Sequence, residues 1–367
     1  MDDVSVSRRL FLSTAGTLPM VAAAEPPVAA DSDRIAQFLP PPDHVHIATV
    51  TASSVVPPPR FSADEVRQIR AGSPKVELTI PADAAEMKQV LPEVDVIFGS
   101  ISPEMLKSAR RLRWLQATEA GMERLLFPEL VESQVVVTNM ARVFAPGISE
   151  TAIGMLLALA RGFNQYFFPQ FQQKHWQTRR DLVEVSGMTM GVVGLGGIGS
   201  ATAAKAHYGF DMRILAVDPK PMAKPLFVET LREPAWLMEM VPQVDVLVSA
   251  APATRETEKM FNEKVFRSMK KTAYFLNLSR GWLVDTPALV QALKEGWIAG
   301  AGVDVADREP APADHPFYGC PNLVVTCHSA GFSPQRQVRL VGLLEENVRR
   351  YLNGLPLMNV VDKQRGY

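Results

Sequence analysis

The stretch Gly191-Val-Val-Gly194-Leu-Gly196-Gly197-Ile198-Gly199 decides the fold. The apolar run Met190–Val193 enters it as a strand, and an Ala-rich segment with helical character leaves it. Gly194, Gly196 and Gly199 carry the spacing G-x-G-x-x-G. The first glycine permits a tight turn, the second lets the backbone approach a pyrophosphate, and the third lets the helix pack closely on the strand. The following helix directs its free N–H groups and positive end at the phosphates. The spacing is weak by itself; between a strand and a helix it predicts a dinucleotide-binding turn formed by Gly194, Gly196, Gly197, Ile198 and Gly199. Asp218 ends the next strand, Ile214–Val217, 19 residues beyond Gly199. A carboxylate there accepts from a ribose 2′-OH and repels a 2′-phosphate, so NAD is expected over NADP. Lys220 pulls the other way, and Asp218 before Pro219 also fits a simple turn residue.

Outward from this turn, strands and helices alternate. Further strands are expected at Val244–Ser249, Tyr274–Leu278, Gly302–Val305 and Leu323–Thr326, and earlier at His46–Val50, Val94–Phe98, Leu112–Leu115 and Val135–Thr138. Ser102-Pro103 reads as an N-cap with proline at N1, and Thr286-Pro287 as another, with Leu289 and Leu293 on one face and Gly296 as the stop. Ile148–Arg161 is apolar all round, so it is buried in its own domain or covered by a partner subunit. Val338, Val341, Leu344 and Val348 recur at helical spacing before Gly354. Val- and Leu-rich strands alternating with helices predict an α/β protein with doubly wound parallel sheets.

Composition narrows the class. The 367 residues are 47% hydrophobic and 21% charged, with a net charge of −1. That is ordinary globular usage, and it offers no basic excess for nucleic acid. No apolar run reaches the roughly 18–20 residues of a membrane span, so no stable membrane anchor is expected. The N-terminus reads Ser7-Arg8-Arg9-Leu10-Phe11-Leu12, then a short apolar stretch ending Ala22-Ala23-Ala24. This predicts a twin-arginine export signal over 1–24 and a periplasmic or secreted protein, with a cytoplasmic one as the alternative; Asp2 and Asp3 weaken its positive end. Such a route carries folded, cofactor-loaded proteins. A Pro-, Ala- and Asp-rich lead-in follows to about residue 42. His44 and His46 alternate on a strand without matching ligands, so no metal is expected. Of Cys320 and Cys327, the second is expected to be a buried strand cysteine, with a disulfide between them as the alternative.

Candidate chemistry lies at the carboxyl ends of the later strands, where open α/β sheets bind ligands. Arg280 follows one strand and can offer two parallel donors to a carboxylate. His328 follows another and can exchange a proton near neutral pH. Glu309 can orient the imidazole and stabilise its protonated form. Each has a plain alternative as a structural histidine, a turn cap or a loop carboxylate. Their joint occurrence behind a dinucleotide turn favours the chemical reading.

At this point the sequence resembles the D-2-hydroxyacid dehydrogenase family, from about residue 44 to 362, with likeness to glyoxylate/hydroxypyruvate reductases and phosphoglycerate dehydrogenases. The resemblance rests on Gly194–Gly199, Val244–Thr257, Met269–Asp285, Gly300–Pro310 and Thr326–Gly331, with Leu115–Glu123, Val137–Asn139 and Glu150–Arg161 similar in character. It implies two Rossmann-like domains: a discontinuous substrate-binding domain of 25–147 and 336–367, and an NAD-binding domain of 148–335. It implies Arg280, Glu309 and His328 as the catalytic set, and Pro252, Thr257 and Asp304 at the cofactor, with Asp304 on the nicotinamide carboxamide. The loop Thr118, Glu119, Ala120 and Gly121 would hold the substrate carboxylate with Arg280. The implied reaction is reversible reduction of a small 2-keto acid to a D-2-hydroxy acid by NADH, in a homodimer. Phosphoglycerate- or phosphite-type chemistry is one alternative, with Arg142 and Arg161 as extra cations; a non-enzymatic NAD(H) sensor is another. Cys327 stands where the family usually has proline, Trp282 replaces a small residue, and the loop 117–123 departs from Gly-Ala-Gly followed by Asp. Glu309 separates the chain from the formate dehydrogenase branch, which has glutamine there.

Overall fold

The computed structural model describes residues 39–50, 61–70 and 73–367. The expected leader at 1–24 lies outside them. Among the described residues, twelve strands form two sheets, parallel throughout. The first holds β1 (Val45–Thr49), β2 (Val76–Thr79), β3 (Val96–Phe98), β4 (Trp114–Gln116) and β5 (Val136–Thr138) in the order β2-β1-β3-β4-β5. The second holds β6 (Thr189–Val193), β7 (Arg213–Val217), β8 (Thr230–Arg232), β9 (Val246–Ser249), β10 (Tyr274–Asn277), β11 (Gly300–Val303) and β12 (Leu323–Val325). Its order is β12-β11-β10-β9-β6-β7-β8. The order reverses between β6 and β9, which opens a ligand crevice at their carboxyl ends.

Both sheets are covered on both faces, which is why their strands read as continuous apolar runs. The helix Ala145–Ala160 buries Ala152, Met155, Leu156 and Leu159 with the second sheet's Val192, Ile214 and Leu276. Its apolar face is therefore covered from within the chain. The long helix Pro334–Leu352 returns to the first sheet, where Leu340, Val341, Leu344, Val348 and Tyr351 pack against Val45, Val96 and Trp114. Val338, expected on that face, is instead 73% exposed. A buried polar network ties this helix down. Asn347 Nδ2 and Thr138 Oγ1 both donate to Gln116 Oε1, at 3.0 and 2.8 Å, while Trp114 Nε1 donates to Thr138 Oγ1 at 2.7 Å.

Local signals hold with small shifts. Ser102 caps its helix through the Met105 N–H, with Pro103 at the first position. In the helix Thr286–Lys294, however, Asp285 is the N-cap, one position earlier than expected, and Thr286 is already helical and buried. Cys327 is exposed rather than buried in a strand, because β12 ends at Val325; both cysteines are free.

Candidate active site

The glycine turn sits in the crevice. Gly194 has φ +91°, and a Cβ on it would stand 2.7 Å from Cα of Ala251 beyond β9, so the turn needs glycine twice over. A Cβ on Gly199 would collide with the Gly194 carbonyl. Gly196 is the N-cap of the helix Gly197–Phe210, which contains Ile198. Asp218 lies just past β7 and braces this turn: Oδ2 accepts from the Leu195 N–H at 2.7 Å, and Oδ1 from the Lys220 N–H at 2.8 Å. Asp218, Lys220, Arg232 and Trp236 line a cleft of about 640 Å³. Beyond β9 the loop is clasped by its own threonine, whose Thr257 Oγ1 donates to the Pro252 carbonyl at 2.7 Å. Across the crevice, Cγ of Arg142 stands 2.9 Å from where a Gly197 Cβ would be.

Arg280 follows β10, and Asn277 at the strand end shapes its approach. The amide of Asn277 donates to the Arg280 carbonyl at 2.9 Å and accepts from the Ser279 N–H at 3.2 Å. The guanidinium reaches the expected substrate loop. Nη2 lies where a Cβ of Gly121 would be, and Nε donates to Glu123 Oε1 at 2.6 Å. In that loop Asn139 Nδ2 donates to the Ala120 carbonyl at 2.8 Å, the Met140 N–H donates to the Glu119 carbonyl, and the Thr118 hydroxyl donates to Glu119 Oε2 at 3.3 Å.

His328 follows β12 in a turn with two consecutive left-handed residues, Cys327 at φ +51° and His328 at φ +57°. Such residues cost of order 1–2 kcal/mol each unless something holds them. Asp304, buried at the end of β11, does so. Its Oδ1 accepts from Thr326 Oγ1 and from the Ser329 and Ala330 N–H groups, at 2.5, 2.9 and 3.1 Å, and its carbonyl accepts from the His328 N–H. Proline, fixed near φ −65°, could not adopt this backbone at 327. Glu309 Oε2 stands 2.6 Å from His328 Nδ1, and its Oε1 accepts from the Ala306 N–H at 2.9 Å. Burial pushes the Glu309 carboxyl up, but the His328 hydrogen bond, the Ala306 N–H and the charge of Arg280 outweigh it and hold it below the ordinary glutamate range.

This geometry brings a cation, a histidine–carboxylate pair and a dinucleotide turn to one crevice, the arrangement that redox chemistry on a small acid needs. Comparison with known proteins identifies its lineage. The chain is 34% identical over 276 residues to the glyoxylate reductase of Thermofilum pendens, covering 73% of this chain and 80% of that protein. It belongs to the D-isomer specific 2-hydroxyacid dehydrogenase family. The NAD binding domain of that family matches residues 153–330. The D-3-phosphoglycerate dehydrogenase of Methanocaldococcus jannaschii is 27% identical, over 78% of this chain and 55% of that one. Among solved structures, the NADPH-dependent glyoxylate/hydroxypyruvate reductase of Sinorhizobium meliloti, with NADP and sulfate, superposes with a TM-score of 0.73 at 26% identity, covering 88% of this chain and 100% of that one. The family makes the chain a nicotinamide-dependent oxidoreductase acting on the CH–OH group of donors.

Within this 2-hydroxyacid dehydrogenase fold, the expected residues divide into groups. Arg280 meets the Thr118–Gly121 loop, and Glu309 meets His328. Asp304 anchors the histidine turn, a task that the sequence left unseen. Arg161 stands elsewhere, donating to the Val183 carbonyl at 3.4 Å. Two contributors escaped notice: Glu123 on Arg280 and Asn277 behind it. Arg142, expected as a cation for a phosphorylated substrate, stands against the glycine turn. The signal for Glu123 was an acid two positions after the loop glycine, opposite a lone arginine. Among the described residues no cluster of metal ligands occurs.

Proposed function

We propose that the chain reduces a small 2-oxo acid to a D-2-hydroxy acid, with NADH as the preferred reductant. The observation that carries this reading is the His328–Glu309 contact at 2.6 Å, formed beside the Arg280 guanidinium at the carboxyl ends of the second sheet. The glycine turn fits a dinucleotide: side chains at Gly194 or Gly199 would collide with Ala251 and the Gly194 carbonyl and break the turn, while Gly196 faces open space. When bound there, the nicotinamide supplies the hydride. Arg280 Nη2 and the N–H groups of the Thr118–Gly121 loop hold the substrate carboxylate and polarise the carbonyl. His328, its Nδ1 engaged by Glu309, presents Nε2 to donate a proton to the substrate oxygen. The first sheet and the returning helix serve as the substrate side, the second sheet as the nucleotide side. A phosphorylated substrate gains no support, because Arg161 lies apart and Arg142 is placed at the glycine turn.

Turnover of glyoxylate, hydroxypyruvate, pyruvate and bulkier 2-oxo acids with NADH and NADPH tests the reading directly. H328Q should lower kcat by about 10²–10⁴-fold while NADH still binds; near-normal turnover would remove the histidine from its role. Asp218→Ala should raise the NADPH/NADH preference ratio, since it deletes the charge opposed to a 2′-phosphate. An unchanged ratio would leave Asp218 only its bracing of the turn.

A further inference from the structure

Arg280 does not enter the crevice as a free cation. Its Nε is taken by Glu123 at 2.6 Å and its Nη1 by the Ser279 carbonyl at 2.9 Å, which leaves Nη2, beside Gly121, as the nitrogen facing the loop. The Glu123 side chain is 17% exposed and that of Arg280 32%, so water screens the pair only in part. Glu309 lies near enough for the Arg280 charge to act on it, and it is paired with His328 at 2.6 Å. The charge of Arg280 is therefore cancelled by Glu123 before a substrate arrives.

We propose that Glu123 is a specificity-determining positioning residue that restricts the site to 2-oxo acids carrying a single negative charge, the α-carboxylate. This deepens the 2-oxo acid reading above and rests on it. The α-carboxylate binds through directed hydrogen bonds from Nη2 and the loop N–H groups, which need no net positive charge. A second carboxylate or a phosphate on the substrate gains no net positive charge from this pair and meets the carboxylate of Glu123. Like charges several ångströms apart in a partly buried site repel enough to change binding by about tenfold.

The test compares two substrates of similar size, 2-oxobutyrate and oxaloacetate, at saturating NADH. The wild-type enzyme should favour the monoanion in kcat/KM by at least about tenfold. E123Q keeps an oxygen to accept from Arg280 Nε but loses the charge. It should raise the oxaloacetate/2-oxobutyrate ratio about tenfold, chiefly through the KM of the dianion. E123D, which keeps the charge, should hold the wild-type ratio. Each ratio is internal to one protein, so a smaller folded fraction cancels, and NADH fluorescence titration reports that fraction. A wild-type preference for the dianion overturns the proposal even if E123Q does not fold. An active E123Q with the wild-type ratio overturns it as well and leaves the 2-oxo acid reading standing. A wild-type enzyme that reduces no 2-oxo acid overturns both.

Discussion

Glu309 is half-buried, yet it ionises more readily than a free glutamate, because the His328 contact, the Ala306 N–H and the Arg280 charge favour its anion more than burial opposes it. The linkage has a definite sign. A carboxyl lowered on folding adds stability that is fully present above its unfolded value, near 4.5, and that disappears as pH falls through the lowered folded value. E309Q should therefore melt below wild type at pH 6, with the gap narrowing as pH falls below about 4.5. A gap that does not narrow on acidification would mean that Glu309 acts by packing alone. Arg280, Glu309 and His328 were legible because each lies close behind an apolar strand. Glu123 was not, because its partner is 157 positions away and only the fold brings them together. Asp304 was legible as a strand-end acid, but its hold on the histidine turn depends on left-handed backbone that composition does not announce.

At the scale of elements, periodicity and capping located most of the structure, and the failures have physical causes. The edge strands β2 and β8 went unread: a strand bonded on one side needs no long apolar run, and the Thr230–Arg232 strand is largely half-exposed. The cap at Asp285 was displaced by one residue because Thr286 is itself a good cap; it is buried as the first helical residue instead. The return of the helix Pro334–Leu352 to the first sheet was expected from the family resemblance, whereas its anchor, Asn347, is a buried amide that no pattern of apolar residues points to. Its Oδ1 accepts from the Met358 N–H at 2.7 Å while its Nδ2 serves Gln116. Asn347→Leu strands both partners, and the loss should be about 2–4 kcal/mol in chemical denaturation. A loss below about 0.5 kcal/mol would show that water or repacking replaces the network.

For the whole molecule, the near-zero net charge means that no long-range field gathers anionic substrates. Attraction must be local, which is why the cancellation of Arg280 by Glu123 weighs so heavily. The two sheets share a principle as well: each is a parallel stack closed on both faces, and the crevice of the second lies where its strand order reverses. The chain visits the first sheet, passes to the second at the helix Ala145–Ala160, and comes back with Pro334–Leu352. Because of that return, the two halves are joined by topology as well as by contact. Severing one crossing leaves the other intact, and severing the first leaves the final helix still buried among the side chains of the sheet it was cut from. A single break in the backbone at either crossing therefore does not set either half adrift.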